Sequence, residues 1–315
     1  MDISGSDAVL RILPGRGKQV IRKLNCIGVK ESFVRGLPGS RLFVAALFLV
    51  VLFLFPAQSR GHSFRAEIPL PDGKMLPAYC YLPQHGVKSR LPAVVVAAGA
   101  GGTKVLQFHE YCRFLADRNF VTVFIDPSNF PETLTPGPFD WDRGPGNLFA
   151  MFNQLVVGAR LVFDQKWYTD SFKAVVDYLC MSPFADPQRV AISGFSQPAN
   201  AVLPYACMDP RIKAVIWNYG GWPWIFPYQA AQLPPVQIFH GEDDDIYDVK
   251  YARELAWELR SNMKYFEVNI YPGQPHMFNI YYDPHKENRY MKPALLDAFE
   301  RLVAFLNRVL ACPQR

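Results

Sequence analysis

Ser196 stands in the short sequence Gly194-Phe195-Ser196-Gln197, between a strand-like run at 189–193 and the helix-like run that follows. A turn from strand to helix strains the serine backbone, lifts the hydroxyl out of the sheet and aims the backbone N–H of the next residue at the same place. The sequence therefore predicts Ser196 as a nucleophile, with the amide of Gln197 as one donor to a developing oxyanion.

Two non-glycine residues, Pro198 and Ala199, follow this turn, where a G-x-S-x-G pattern would have glycine. Proline leaves the amide of Gln197 in place and suits the first turn of a helix. It also disfavours helical torsions at the residue before it and adds bulk where close packing is usual. Whether the turn forms around Pro198 is therefore the main structural question about this serine.

A serine needs a base to take its proton, and the base needs a carboxylate to orient it. His276 and Asp244 follow strand-like runs at 266–271 and 235–240, and the carboxyl ends of such strands form the site edge of open α/β sheets. We predict Ser196, Asp244 and His276 as a catalytic triad. On spacing alone three neighbours stay open as alternatives: Asp243 and Asp245 for the acid, and His285 for the base. The other histidines, including His240, are predicted to be packing or surface residues.

A glycine-rich segment, residues 98–102, follows the apolar run LPAVVVAA. Glycines there let backbone amides approach an oxyanion, and each such donor is worth roughly 3 kcal/mol in measured cases. We assign the second oxyanion donor to Ala100 and read Gly102 as a connecting turn.

Strand-like and helix-like patterns alternate through the rest of the chain, which predicts an α/β fold with a mostly parallel sheet and helices on both faces. An initial hairpin is expected at Pro71-Asp72-Gly73. The predicted strands are 64–70, 75–82, 91–98, 120–125, 189–193, 212–219, 235–240 and 266–271, and the predicted helices are 105–119, 167–181, 197–207, 249–261 and 290–310.

An insertion at about 127–165, rich in proline, glycine and aromatic residues, interrupts this alternation. Loops of this length in compact domains usually serve function, so we interpret it as a lid or pocket wall. Aromatic residues of the insertion and of the loop after 219 suggest an apolar or sugar-stacking pocket, with simple packing as the alternative: Phe139, Trp141, Phe149, Trp222, Trp224 and Phe226.

Residues 1–59 contain eight basic and three acidic residues, which accounts for the whole net charge of +5. Within this leader, the uncharged run 42–57 is followed by Ala57-Gln58-Ser59, the pattern of a secretory signal peptide. We predict cleavage after Ser59 and export of a catalytic domain, 60–315, to the periplasm or outside the cell. The alternative is an uncleaved membrane anchor, although the run is shorter than the ~20 residues of a typical spanning helix.

The catalytic domain carries equal numbers of basic and acidic residues, so a nucleic-acid partner has no electrostatic support. The six cysteines show no CxxC pair and no metal-type spacing with histidine, so we predict neither a metal nor a cofactor.

The sequence segments between about residues 64 and 310, taken in their order along the chain, resemble the dienelactone-hydrolase-like branch of the α/β-hydrolase superfamily. The resemblance rests on LPAVVVAAGAGG, DSFKAVVDYL, DPQRVAISGFS, DPRIKAVIWNYGG, PPVQIFHGEDDD, YPGQPHMFN and DAFERLVAFL. It implies an eight-stranded α/β-hydrolase fold, no cofactor, and acyl transfer to water through an acyl-enzyme on Ser196. It also favours Asp244 as the acid, through the G-x-x-D pattern that begins at Gly241.

The chain departs from that branch at several positions. Ser196 stands where narrow dienelactone hydrolases have cysteine, and Ala98 stands where many relatives have histidine. We therefore expect a hydrolase of a small-molecule or glycan-linked carboxylic ester rather than of a dienelactone. A peptidase or amidase with the same triad, and a non-catalytic binding protein with the hydrolase fold, are the alternatives.

Overall fold

The computed structural model describes residues 63–99, 102–127, 165–221, 227–280 and 292–311. The leader 1–59 and its apolar run 42–57 lie outside these ranges, as does the insertion apart from its two ends. The predictions made for those segments stay predictions. Within the described ranges, no helix combines the length and the apolar character that crossing a membrane requires.

Eight strands form one sheet in the order β1-β2-β4-β3-β5-β6-β7-β8. β1 pairs with β2 and β2 with β4 in antiparallel orientation, and all other neighbours are parallel. The strands are β1 Ser63–Pro69, β2 Met75–Tyr81, β3 Leu91–Ala97, β4 Val121–Ile125, β5 Ala185–Phe195, β6 Ile212–Asn218, β7 Val236–Gly241 and β8 Phe266–Tyr271. The predicted eight-stranded, mostly parallel α/β-hydrolase sheet is confirmed.

Six α-helices and one short 3-10 helix accompany these strands in the described ranges. The helices are α1 Leu106–Ala116, α2 Gln165–Met181, α3 Gln197–Met208, α4 Pro227–Ala230, α5 Lys250–Ser261 and α6 Lys292–Val309, and the 3-10 helix is Gly102–Lys104. The sequence patterns had predicted all but α4 and the 3-10 helix. Both are shorter than two turns, too short for a helical period to show.

The helices bury both faces of the sheet, and this explains why its central strands are continuous apolar runs. In β3, Ala93, Val95 and Ala97 belong to one core, which α2, α3 and α5 cover. Val94 and Val96 belong to the opposite core, which α1 and α6 cover. Because β3 to β8 run parallel to one another, they all end at one edge of the sheet. The loops that follow β3, β5, β6, β7 and β8 start at this edge.

Candidate active site

The turn between β5 and α3 has the geometry that the sequence predicts. Ser196 lies between the last residue of the strand and the first of the helix, with φ +60° and ψ −124°. A non-glycine residue rarely adopts a positive φ, and such strain is typical of functional turns. The backbone N–H of Ser196 donates to the Asn218 carbonyl at 3.0 Å. The serine is thus fixed at the carboxyl edge of the sheet.

The small residue at position 194 makes this turn possible. A Cβ added to Gly194 would lie 2.7 Å from the Cα of Ala199 and 2.8 Å from the carbonyl oxygen of Pro198. Pro198 lies in the first turn of α3, where its missing N–H leaves no helical hydrogen bond unmade. Pro198 and Ala199 are therefore compatible with the turn.

A chain of hydrogen bonds joins the three predicted triad residues. The Nδ1 atom of His276 lies 2.7 Å from Oδ2 of Asp244, and its Nε2 atom lies 3.0 Å from Oγ of Ser196. The side chains of Asp244 and His276 are 0% and 2% exposed, and Ser196 as a whole residue is 8% exposed. The structure thus brings together a hydroxyl, an imidazole and a carboxylate in the order that proton transfer from serine requires.

The carboxylate of Asp244 is held by donors on both of its oxygens. Oδ1 accepts the backbone N–H groups of Ile246 at 2.9 Å and Tyr247 at 2.8 Å. Burial raises the pKa of Asp244, but the charge of His276 and the hydrogen bonds from His240 and His276 outweigh it and hold the pKa well below its usual value. The two alternative acids, Asp243 and Asp245, are exposed, so the geometry favours Asp244.

His240, for which packing was predicted, also contacts the acid. It is fully buried against Trp217, with ring centroids 5.8 Å apart. Its Nε2 lies 2.8 Å from the Tyr247 carbonyl and 3.3 Å from Oδ2 of Asp244. Because a carbonyl only accepts, Nε2 carries the proton and donates to both oxygens. The sequence signal was a histidine four residues before the acid, at the end of the same strand.

Two tyrosines pack edge-on against the imidazole of His276. The ring centroid of Tyr219 lies 4.7 Å from that of His276, and the centroid of Tyr247 lies 5.7 Å from it. These two ring contacts restrict rotation of the imidazole, whose Nε2 is directed at Ser196.

The predicted oxyanion donors are described only in part. Gln197 is the first residue of α3, so its amide lies at a helix N-terminus, where the partial positive charge favours an anion. Ala100 lies outside the described residues. Gly99, beside it, approaches Ser196 closely, because a Cβ built there would lie 3.1 Å from Cβ of Ser196.

Other candidate residues lie away from this site or beyond the described ranges. His85 pairs with Asn119, and His109 bonds to the Tyr81 hydroxyl and the Thr103 carbonyl. In the part of the chain that the structure describes, no group of three or more potential metal ligands occurs. Outside the described ranges lie His285 and the six aromatic residues of the predicted pocket: Phe139, Trp141, Phe149, Trp222, Trp224 and Phe226.

Comparisons with known proteins agree with this architecture. The model of the dienelactone hydrolase family matches residues 76–310. The "Putative carboxymethylenebutenolidase" of Yersinia pestis is 24% identical over 262 residues, which cover 79% of this chain and 90% of that protein. The chain spans only 38% and 42% of the length of the first two curated relatives that it matches.

Solved structures show the same fold at lower identity. A dienelactone hydrolase-like promiscuous phosphotriesterase, P91, from metagenomic libraries has a TM-score of 0.61 at 20% identity, covering 80% of this chain and all of that one. The acylaminoacyl peptidase of Pyrococcus horikoshii has a TM-score of 0.57 at 13% identity, covering 84% of this chain and 44% of that one. At these identities the likeness concerns the fold alone.

We predict that Gly194→Ala destabilises the protein by about 3 kcal/mol, the upper part of the range for overpacking, because the new methyl group meets the rigid backbone of Pro198 and Ala199. Chemical denaturation measures the free energy of unfolding. Gly73→Ala is the matched control: it places the same methyl group in open space, at a positive φ that costs about 1 kcal/mol. A loss at Gly194 no larger than that at Gly73 would contradict the described turn.

We also predict that Asp244 contributes to the pH dependence of stability. Its folded-state pKa lies below the ordinary value of 3.8, so the ionised carboxylate stabilises the fold above that value. This stabilisation is lost as the pH falls towards the folded-state pKa. Between about pH 5 and pH 3, the free energy of unfolding should therefore decrease more in the wild type than in Asp244→Asn.

The control for this measurement is Asp243→Asn, which neutralises an exposed neighbour of the acid. Its free energy of unfolding should follow that of the wild type across the same pH range. Parallel curves for all three proteins would show that the Asp244 carboxylate is not stabilised in its ionised form.

Proposed function

The chain belongs to the dienelactone hydrolase family, and we propose that it is a serine hydrolase that cleaves carboxylic esters through an acyl-enzyme on Ser196. The observation that carries this proposal is the continuous hydrogen-bond chain from Asp244 through His276 to Oγ of Ser196. The strained turn that places Ser196 at the carboxyl edge of the sheet and the helix N-terminus that follows it support the same chemistry.

In the first half of the reaction, Oγ of Ser196 attacks the acyl carbon while Nε2 of His276 takes the hydroxyl proton. The carbonyl oxygen becomes an oxyanion, which the amide of Gln197 stabilises together with the proposed second donor, Ala100. As the tetrahedral intermediate collapses, His276 returns the proton to the departing alcohol. The acyl group then remains on Ser196.

In the second half, water replaces the alcohol. His276 takes a proton from the water as it attacks the acyl carbon, and the proton then returns to Oγ as the carboxylic acid leaves. Asp244 stays ionised throughout and stabilises the imidazolium that forms twice in each cycle. Its lowered pKa, with four donors on its two oxygens, suits this role.

Two observations favour an ester over an amide as the substrate. The family is that of dienelactone hydrolases, and the Yersinia pestis relative is named for a butenolide, which is a cyclic ester. The peptidases among the structural neighbours share the fold but are more than twice as long as the part aligned here. Amide cleavage by the same triad is the second candidate, and the assays below separate the two.

We predict that a fluorophosphonate probe labels the purified protein on Ser196. Ser196→Ala should abolish labelling, because the nucleophile is gone. His276→Ala should slow it by roughly 10²- to 10⁴-fold, the usual contribution of a general base. Labelling rates are measured by time-resolved quenching and intact mass.

The control is His85→Ala, which removes an exposed histidine from a loop remote from the site and should leave the labelling rate unchanged. Substrate class is then tested with short-chain and acetyl nitrophenyl esters against the corresponding nitroanilides. We expect turnover of the esters, and faster turnover of the anilides would favour the amidase. A folded wild-type protein that neither labels nor hydrolyses either series would contradict catalysis and favour the binding-protein alternative.

A further inference from the structure

A pair of buried asparagines lies behind the candidate active site. Asn218 is the last residue of β6, and Asn279 follows His276 by three residues in the loop after β8. Their side chains are almost completely buried, with residue exposures of 0% and 2%. Nδ2 of Asn279 donates to Oδ1 of Asn218 at 3.1 Å. The pair therefore links the loop that carries the base to the strand beside the nucleophile.

Asn218 in turn binds the nucleophile turn on both sides. Its Nδ2 donates to the carbonyl of Gly194 at 3.0 Å and to Oγ of Ser193 at 3.1 Å. Its backbone carbonyl accepts the N–H of Ser196 at 3.0 Å. One residue thus fixes the chain immediately before the serine and the serine itself.

The chemistry of the two amides fixes their orientation. The Gly194 carbonyl can only accept, so the amide of Asn218 must turn its NH₂ group towards it. This leaves Oδ1 of Asn218 facing Asn279, which must then donate. The hydrogen bonds therefore run in one direction, from the base loop to the nucleophile strand, and neither amide can flip without placing like groups against each other.

The buried side chain of Asn279 lowers the stability of the fold in one respect. Its Oδ1 is buried and has no hydrogen-bond partner within the described part of the chain. A buried unsatisfied acceptor costs about 1–3 kcal/mol. An apolar side chain would avoid this cost but would leave Oδ1 of Asn218 without its donor, so the amide at this position is needed to hold Asn218 in its orientation.

The pair also lies where three strained segments of backbone meet. Ser196 has φ +60°, Tyr219 has φ +38° and Met277 has φ +63°. Tyr219 directly follows Asn218, and Met277 precedes Asn279 by two residues. Non-glycine residues keep such torsions only where their surroundings hold them, and these hydrogen bonds supply that restraint.

The acid and the base are joined in a different way. The backbone N–H of Asp243 donates to the carbonyl of Gln274 at 3.0 Å, and that of Glu242 donates to the carbonyl of Tyr271 at 2.9 Å. Main-chain bonds therefore set the position of the acid loop relative to the base loop. The position of the base relative to the nucleophile depends on side-chain contacts, among them the Asn279–Asn218 hydrogen bond and the packing of Tyr219 and Tyr247 against His276.

We propose that Asn218 and Asn279 are positioning residues that hold Nε2 of His276 at hydrogen-bond distance from Oγ of Ser196. The proposal rests on the proposed function in one respect, since its kinetic consequence appears only if Ser196 reacts. The distance between Nε2 of His276 and Oγ of Ser196 can be measured whether or not the protein is active.

The test is Asn279→Leu, which removes the donor and keeps a side chain that branches at the same atom. We expect kcat for a nitrophenyl ester, per folded enzyme, to fall roughly 10- to 100-fold with little change in KM, because a displacement of about 1 Å has that effect on reacting groups. The low-field proton NMR signal of the His276–Asp244 hydrogen bond should persist, because main-chain bonds hold that pair. A general loss of structure would remove the signal together with the activity.

The matched control is Asn269→Leu. Asn269 is also buried and its Nδ2 also donates to a carbonyl, that of Ile238 at 3.2 Å, but it joins β8 to β7 away from the reacting atoms. This variant should lose stability and keep its kcat. If Asn279→Leu does not fold, Asn279→Ser replaces it, because its short polar side chain cannot reach Asn218.

The kinetics and the crystal structure of the variant separate the outcomes. A wild-type kcat in folded Asn279→Leu or Asn279→Ser would overturn the positioning role and leave the proposed function intact. If the wild type itself neither labels nor turns over, the proposed function fails, and a crystal structure of the variant decides the positioning role. An Oγ–Nε2 separation beyond hydrogen-bond distance would support it, and an unchanged 3.0 Å would overturn it.

Discussion

The hydrogen bond between Oγ of Ser196 and Nε2 of His276 joins residues 80 positions apart, and it is the constraint on which the rest of the site depends. Parallel strands bring both residues to one edge of the sheet, but a shared edge alone does not place two side-chain atoms at hydrogen-bond distance. Contacts that hold the strained backbone around Ser196 complete its positioning. Gly194 lets α3 pass close to β5, and Asn218 binds the turn from the other side.

The same edge explains why the acid is ionised although it is buried. Asp244 has no access to bulk water, yet its carboxylate receives two backbone amides and two histidine N–H groups. These donors replace the hydration that burial removes, and the favourable interactions exceed the cost of desolvation. Loops that would otherwise be free to move are thereby tied to each other. The same hydrogen bonds therefore keep the Asp244 carboxylate ionised and hold the loops at this edge together.

Much of this architecture could be predicted from the sequence, because buried parallel strands give continuous apolar runs and the strand-to-helix turn around Ser196 has a local signature. The choice of Asp244 among three consecutive aspartates could be supported only by resemblance, since spacing does not distinguish them. The contacts of His240 and the Asn218–Asn279 pair could not be predicted. They depend on side-chain directions across separate strands, and a lone buried histidine or asparagine has no pattern along the chain.

We expect Asp244, His276 and Ser196 to perform acyl transfer through an acyl group on Ser196. The most direct measurement is acid quenching of the protein during turnover of a slowly deacylating ester, followed by mass spectrometry of the intact chain and its peptides. We predict the mass of one acyl group on the peptide that contains Ser196, and its absence in Ser196→Ala. Full ester turnover by Ser196→Ala, or an acyl group found on another residue, would contradict it.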